Sequence, residues 1–192
     1  MTISQKATKN KENFMSKPLI LVTNDDGITA PGIRKLISIV NEIGDVIVVA
    51  PNSPQSGKGH AITINSTLSF EELNLDGPQR DFSCSGTPVD CVKMALDKIL
   101  PRKPDLVVSG INHGANSSIN VIYSGTMSAA VEAGVEGLQA IGFSLSDLKW
   151  DADFDQAEDF IKDIILKTLA NPMPKGVVLN VNIPKLNKEE IK

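Results

Sequence analysis

The fold is decided by residues 19–27, which read Leu-Ile-Leu-Val-Thr-Asn-Asp-Asp-Gly. The apolar first half is typical of a short strand buried on both faces, as found in the middle of a parallel sheet. Two adjacent carboxylates follow at the strand end, where they repel each other and lose hydration if they are buried. Water, a hydrogen-bond network or a bound cation would stabilise Asp25 and Asp26 there. Asn, Asp and Gly are also ordinary turn residues, so this stretch alone leaves a solvated turn and a binding site both open.

Composition limits the class of protein. The chain has 192 residues, 41% hydrophobic side chains and a formal net charge of −4, which suit one domain with a real core and give no reason to expect a nucleic-acid partner. No apolar run approaches the ~18 residues of a membrane span, and the polar N-terminus lacks the apolar core of a signal peptide. We therefore predict a disordered polar tail at residues 1–16, an α/β core at residues 17–192 and a cytoplasmic location. Cys84 and Cys91 fit no metal-ligand spacing and are predicted to be buried thiols.

Strand and helix patterns alternate along the rest of the chain. Apolar residues at helical spacing predict helices that begin near Pro31, Thr87 and Ser124, and a fourth helix around residues 157–164. Buried strands are predicted at residues 46–50, 106–108, 138–145 and 177–183, with a half-exposed strand or hairpin across residues 62–84. This alternation predicts an α/β fold with a mainly parallel sheet and helices on both faces.

Three polar loops leave strand ends, at residues 24–26, 52–59 and 109–116. In an open parallel sheet, ligands bind outside the carboxyl ends of the strands, so these loops are expected at one edge. Carboxylate, hydroxyl and amide oxygens predominate there, which favours a hard cation such as Mg²⁺ or Mn²⁺. Asp25 and Asp26 are the strongest ligand candidates, with Asn112 and one loop serine as neutral completions.

Ser124-Gly125-Thr126 opens a helix and is a candidate anion site, because free backbone amides and the helix dipole attract phosphate there. A plain N-cap by Ser124 or Thr126 is the alternative interpretation. A metal site beside an anion pocket is typical of phosphoryl chemistry.

Several familiar motifs do not fit. No G-x-G-x-x-G follows the first strand, residues 57–59 are not a P-loop, and Asp25-Asp26 does not match the Asp-x-Asp pattern of aspartyl phosphatases. His60 and His113 are the two histidines of the chain, and each lies in a candidate loop. His113 is a candidate proton shuttle, with a structural role as the alternative.

Six stretches carry a family resemblance, and they follow one another in the family's order. They are Thr-Asn-Asp-Asp-Gly-Ile-Thr-Ala-Pro-Gly at 23–32, Val-Val-Ala-Pro-Asn-Ser-Pro-Gln-Ser-Gly at 48–57, Ser-Gly-Thr-Pro-Val-Asp-Cys at 85–91, Val-Ser-Gly-Ile-Asn-His-Gly-Ala-Asn at 108–116, Val-Ile-Tyr-Ser-Gly-Thr at 121–126 and Leu-Asn-Val-Asn-Ile-Pro at 179–184. Together they resemble the SurE family, the survival-protein-E 5′/3′-nucleotidases. The resemblance implies a Rossmann-like core and a divalent-metal phosphatase that acts on nucleoside 5′- and 3′-monophosphates with Mg²⁺ or Mn²⁺. It also implies a homodimer that can pair into tetramers.

The resemblance assigns roles to particular residues. It implies metal ligands at Asp25, Asp26, Ser56 and Asn112, and so selects Ser56 among several loop serines. It implies phosphate contacts at Asn116 and at Ser124, Gly125 and Thr126. Family members usually continue past the strand at residues 179–184 into an extended hairpin and a C-terminal helix, which we expect this 192-residue chain to lack.

The mechanism expected from these residues is in-line attack of water on a phosphomonoester, with Asp25 or Asp26 orienting or deprotonating the water. A covalent route, with one of these aspartates as nucleophile, is the competing version. Two other classes of function remain open. One is a metal-dependent nucleotide-binding module with little or no turnover. The other is a structural or interaction domain in which the aspartates only form a turn.

Overall fold

The computed structural model describes residues 17–149 and 151–185. Its strands are β1 (Leu19–Thr23), β2 (Asp45–Pro51), β3 (Phe70–Leu73), β4 (Arg80–Cys84), β5 (Leu106–His113), β6 (Ala140–Leu145) and β7 (Leu179–Ile183). They form one sheet in the order β3-β4-β2-β1-β5-β6-β7, in which neighbouring strands run parallel except for the antiparallel pair β3 and β4. The predicted α/β class and mainly parallel sheet are confirmed.

Helices cover both faces of this sheet, as predicted. They are α1 (Pro31–Asn41), α2 (Pro88–Met94), α3 (Asn120–Tyr123), α4 (Gly125–Val135) and α5 (Glu158–Ala170). The chain continues from α2 through a π-helical turn at Ala95–Ile99, and a short 3₁₀ turn at Asp155–Ala157 precedes α5. One apolar cluster joins α1 and α5 to the sheet, and a second joins α2 and α4 to its other face.

Strand β1 is the central strand of the sheet. Its successive side chains point to opposite faces, and because both faces are covered by helices, residues 19–22 are all apolar. Ile20 and Val22 belong to the cluster on the α1 and α5 face, whereas Leu19 and Leu21 belong to the opposite cluster. All four side chains are buried, and each contributes roughly 1.5–3 kcal/mol of hydrophobic stabilisation. The chain runs outward from β1 in both directions, because β2 pairs with one edge of it and β5 with the other.

Local signals in the sequence explain how the helices begin. Pro31 occupies the first turn of α1, and the apolar stripe of that helix is buried. A capping box opens α2: the Thr87 hydroxyl accepts the amide of Asp90, and the Asp90 carboxylate accepts the amide of Thr87. Ser124 caps α4, because its hydroxyl accepts the amide of Met127 over 3.0 Å.

Several boundaries differ from the sequence prediction, and β6 begins at Ala140, two residues later than predicted. Residues 62–69 form no strand, and only Phe70–Leu73 and Arg80–Cys84 pair. Side-chain hydrogen bonds fasten the first of these residues to α2 instead, including a 2.6 Å bond from the Thr63 hydroxyl to Asp90. Strand β5 continues to His113, so the polar stretch at residues 109–116 is strand for its first half. Strand β7 begins at Leu179, two residues later than predicted.

Other predictions have separate outcomes. Cys84 and Cys91 are free and buried, as predicted. Residues 1–16 and 186–192 lie outside the described residues, so the predicted tail and the predicted lack of a C-terminal hairpin stay predictions. Among the described helices, none is both long and apolar enough to cross a membrane.

Candidate functional site

The predicted ligand residues meet in one cavity at the carboxyl ends of β1 and β5. Strand order reverses between these two strands, which is where open α/β sheets bind ligands. The cavity, called here the strand-end cavity, has a volume of about 530 Å³. Most of the predicted site residues line it, namely Asp25, Asp26, Ser56, Asn112, Asn116 and Ser124.

Asp25 is fixed by the N-terminus of α4. The hydroxyl of Thr126 donates to Asp25 Oδ1 over 2.5 Å, and the amides of Thr126 and Gly125 also donate to this carboxylate. A Cβ atom at Gly125 would lie 2.6 Å from Asp25 Cβ and 2.9 Å from Oδ2, so glycine is required for this approach. Burial raises the pKa of Asp25, although these hydrogen bonds oppose the change.

Asp26 has a different environment, although it is the next residue. It is half-buried, and its pKa is raised to about 6, with burial as the largest cause. The neighbouring charge of Asp25 also raises it, whereas the charge and the backbone amide of His113 lower it. Two adjacent carboxylates therefore share a partly desolvated corner in which both resist ionisation.

Asn112 reaches the cavity because β5 is irregular before it. The register with β6 shifts between Ser109 and Asn112, and Gly110 between them has φ 126°, a conformation that favours glycine. The Asn112 amide nitrogen donates to the carbonyl oxygens of His113 and Gly114, over 3.0 and 2.8 Å. Both amide hydrogens are thus committed, which leaves Oδ1 as the polar atom that can serve a cation.

Ser56 lies in the loop that follows β2. Its side chain is exposed, and the amide of the preceding Gln55 donates to the carbonyl oxygen of Asp25 over 2.7 Å. The amide of Ile28 also donates to the carbonyl oxygen of Pro51 over 3.0 Å. These backbone bonds hold the loop beside the end of β1, which places Ser56 in the cavity.

Asn116 is the most extensively bonded of the predicted phosphate contacts. Its amide nitrogen donates to Ser144 Oγ over 2.9 Å, and its backbone amide donates to Asn182 Oδ1 over 2.7 Å. Asn180 donates to its carbonyl oxygen over 2.7 Å. Asn116 is therefore held by the ends of β6 and β7.

The helix end at Ser124-Gly125-Thr126 serves two structural purposes. Ser124 is the N-cap, so that interpretation is confirmed, while Gly125 and Thr126 donate to Asp25. The amides expected to attract an anion thus bind a carboxylate of the chain itself. Their contact with a phosphate stays a prediction, and it would share these donors with Asp25.

Comparison with known proteins identifies the family. A sequence model of the family described as Survival protein SurE matches residues 20–192. The chain belongs to the SurE family. It is 69% identical over 177 residues to a protein of Flavobacterium johnsoniae named 5′-nucleotidase SurE, an alignment that covers 92% of this chain and 68% of that protein. A protein of Christiangramia forsetii with the same name is 67% identical over 178 residues, covering 92% of this chain and 68% of that protein.

A solved structure confirms the fold of the family. The crystal structure of the SurE protein from Aquifex aeolicus matches with a TM-score of 0.82 and 40% sequence identity. The match covers 91% of this chain and 69% of that one. The predicted Rossmann-like architecture of the SurE family is thereby confirmed.

Sequence reasoning about this SurE family member missed the supports of its site. The sequence assigns Asn180 and Asn182 only to a strand, yet they hold the Asn116 loop. Their spacing of two residues was the available signal, because it puts both side chains on one face of β7. Tyr123 and Leu148 also line the cavity and are 60% and 85% exposed, with no periodic pattern to mark them.

The two histidines are far from equivalent. His113 lines the cavity, its Nδ1 lies 2.9 Å from the carbonyl oxygen of Lys149, and its ring packs edge-on against Phe154. A role for His113 in proton transfer stays a prediction. His60 pairs with Glu132 of α4, with 2.9 Å between Nε2 and Oε2.

Proposed function

We propose that this chain is a divalent-metal-dependent phosphatase that hydrolyses nucleoside 5′-monophosphates, and also 3′-monophosphates, to nucleoside and phosphate. The observation that carries the proposal is the pair Asp25 and Asp26 in a cavity at the topological switch point. Relatives of up to 69% identity carry the name 5′-nucleotidase SurE, which supports the same activity here. The predicted homodimer and cytoplasmic location stay predictions.

The residues present fit a hard divalent cation. The pKa values of Asp25 and Asp26 are raised by burial, and the charge of Asp25 also raises that of Asp26, so a positive ion would remove both the repulsion and the desolvation penalty. Asn112 offers an amide oxygen after both amide hydrogens have been used, and Ser56 offers an exposed hydroxyl. This set contains only oxygen donors, which suits Mg²⁺ or Mn²⁺.

Asp25, Asp26, Ser56 and Asn112 would hold this ion. When bound, a divalent cation neutralises charge on phosphate oxygens and lowers the pKa of a water molecule. Thr126 and the α4 amides keep Asp25 oriented before any ligand arrives, which reduces the reorganisation needed on binding.

The two aspartates would have different roles in the proposed hydrolysis. Three donors from α4 hold the Asp25 carboxylate in place, so with a cation beside it Asp25 would be an oriented anion. Asp26 is more exposed than Asp25, so the attacking water can reach its carboxylate, which can accept the proton of that water. Asn116 and Ser124 line the same cavity and would contact the non-bridging phosphate oxygens, where the charge is greatest.

The nucleoside part of the substrate has an apolar surface available at the mouth of the cavity. Tyr123 lines the cavity and is 60% exposed, and Leu148 lines it as well. An exposed aromatic ring can stack on any base, which fits a nucleotidase of broad base preference.

The direct test is phosphate release from AMP, GMP, CMP and UMP, and from 3′-AMP, with Mg²⁺, with Mn²⁺ and with EDTA. We expect release with a divalent ion and none with EDTA. Binding of AMP without release under both metals would select the nucleotide-binding module instead. A trapped acyl-phosphate, or ¹⁸O from labelled water in an aspartate carboxylate, would select the covalent route, whereas direct attack forms no acyl-phosphate and labels only the released phosphate.

A further inference from the structure

The hydroxyl of Ser56 has little packing of its own to hold it. The side chain is exposed, and Gly57 follows with φ 74°, where the backbone turns sharply. On the N-terminal side, the amide of Gln55 is anchored to the carbonyl oxygen of Asp25 over 2.7 Å. The position of Ser56 therefore also depends on what anchors the loop on its C-terminal side.

His60 provides an anchor on that side. Its Nε2 lies 2.9 Å from Oε2 of Glu132, whose side chain is only 7% exposed. The amide of Gly59 donates to the carbonyl oxygen of Tyr123 over a longer 3.3 Å. Since Glu132 is buried within α4, the contact with His60 ties the end of the loop to the helical layer.

Glu132 is an ionised partner with both oxygens in use. Lys93 of α2 lies 2.6 Å from its Oε1. Burial alone would raise the pKa of Glu132, but the hydrogen bonds from Lys93 and His60 outweigh it and hold the pKa below its usual value. A buried carboxylate of this kind retains its partners strongly, because losing one leaves charge uncompensated.

The same helix fixes Asp25. Thr126 donates to Asp25 from the first turn of α4, and Glu132 binds His60 six residues later, roughly 9 Å along the helix axis. Helix α4 thus connects to two of the proposed metal ligands, directly at Asp25 and through His60 at the loop of Ser56.

We propose that His60 is a positioning residue: by bonding Glu132, it holds the loop against α4 so that Ser56 completes the metal site with Asp25, Asp26 and Asn112. This inference rests on the proposed function, because it takes Ser56 as a metal ligand. His60 is not among the residues that line the strand-end cavity, so it would act through Ser56.

The test is a double-mutant cycle on Mn²⁺ affinity, measured by calorimetry on the full chain without nucleotide. We expect His60→Ala and Ser56→Ala each to weaken Mn²⁺ binding about tenfold, and the double variant to be no weaker than Ser56→Ala alone. His60→Gln should bind within about threefold of the native chain, because Gln can place a donor near the position of Nε2. Lys93→Met is the matched control, since it removes the other partner of Glu132 without touching the loop, and it should also stay within about threefold.

Each other result overturns the inference. Unchanged Mn²⁺ affinity in His60→Ala would show that the contact does not support the site. Equal losses in His60→Ala and Lys93→Met, or a further loss when His60→Ala is added to Ser56→Ala, would show a general structural role. Phosphate release by the native chain is measured separately, so failure of the proposed function is distinguished from failure of the positioning role of His60.

Discussion

At the scale of single residues, the main result is that Asp25 and Asp26 differ although they are neighbours. The apolar run at residues 19–22 predicts a buried strand, and this is enough to place Asp25 and Asp26 at the end of that strand. It could not predict which aspartate is buried, because the partner of Asp25 is Thr126, 101 positions away along the chain. Long-range hydrogen bonds of this kind give adjacent and identical side chains different environments.

The raised pKa of Asp26 predicts how metal binding depends on pH. A proton competes with the cation below pH 6, so Mn²⁺ affinity measured by calorimetry should fall about fivefold between pH 6 and pH 5. An affinity that is constant from pH 7 to pH 5 would contradict this.

The stability of the metal-free protein should show the opposite trend. The pKa of Asp26 in the folded state, about 6, exceeds the unfolded value of about 3.9, so the folded state binds more protons between these values. Asp26 therefore contributes to the stability of the folded state at low pH, and this contribution is lost as the pH rises through 6. Denaturant titrations in EDTA at pH 4.5 and pH 6.5, with Asp26→Asn as the control, measure this difference.

Tyr123 should matter only for substrates that carry a base. We expect Tyr123→Ala to raise KM for AMP about tenfold, because stacking on an aromatic ring contributes roughly 1–3 kcal/mol per base. KM for ribose 5-phosphate should stay within about twofold, and Tyr123→Phe should behave like the native chain with both substrates. Equal losses on AMP and ribose 5-phosphate would place the effect at the phosphate site instead.

At the scale of elements, helix α4 links the parts of the site. Its boundaries were predictable from Ser124 at the N-cap and from the apolar stripe that begins at Met127. Its contact with Asp25 was not predictable, since a helix N-terminus predicts an anion without saying whether the anion is a ligand or a side chain of the chain itself.

The prediction of a strand at residues 62–69 was wrong for a related reason. Alternating polarity resembles a strand, but side-chain bonds to Asp90 decide where those residues lie.

Adding a methyl group at the start of α4 should disturb the site more than the fold. In Gly125→Ala the new Cβ would lie 2.6 Å from Asp25 Cβ, which must then move. We expect AMP hydrolysis to fall at least about tenfold, with a small change in the melting temperature, because Ala favours helix.

Gly134→Ala is the matched control in the same helix, where the new Cβ would meet the side-chain tip of Val178 at 2.6 Å. It should keep activity within about threefold of the native chain. Full activity in Gly125→Ala would show that Asp25 does not need its present position.

At the scale of the whole molecule, the parallel sheet brings distant loops together. The alternation of strands and helices predicted which loops meet at one edge, because the carboxyl ends of parallel strands share that edge. Which loop serine takes part could not be argued from the residues, and the family resemblance was needed to select Ser56. The spacing of Asn180 and Asn182 places them on one face of β7, but it could not identify Asn116 as their partner, which lies more than sixty positions away along the chain.

Metal binding should stabilise the whole fold, since β1, β2 and β5 lead into the proposed ligands. Mn²⁺ at a hundred times its Kd adds about 2.7 kcal/mol to the free energy of unfolding. In a domain of this size, that corresponds to a rise of roughly 5–10 °C in melting temperature. Thermal unfolding with Mn²⁺ and then with excess EDTA measures it. A melting temperature that changes neither with Mn²⁺ nor with EDTA would contradict the binding of a cation at this site.

The central claim is that the aspartates at the end of β1 carry out metal-dependent phosphate release. The most direct measurement compares Asp25→Asn with Asp105→Asn, in AMP hydrolysis with saturating Mn²⁺. Asp105 is a matched control, because it accepts the amide of Leu19 over 2.7 Å at the opposite end of the same strand. We predict that Asp25→Asn loses at least about a hundredfold in rate while its melting temperature without metal stays close to native, and that Asp105→Asn stays within about threefold. Near-native hydrolysis by Asp25→Asn would contradict the account.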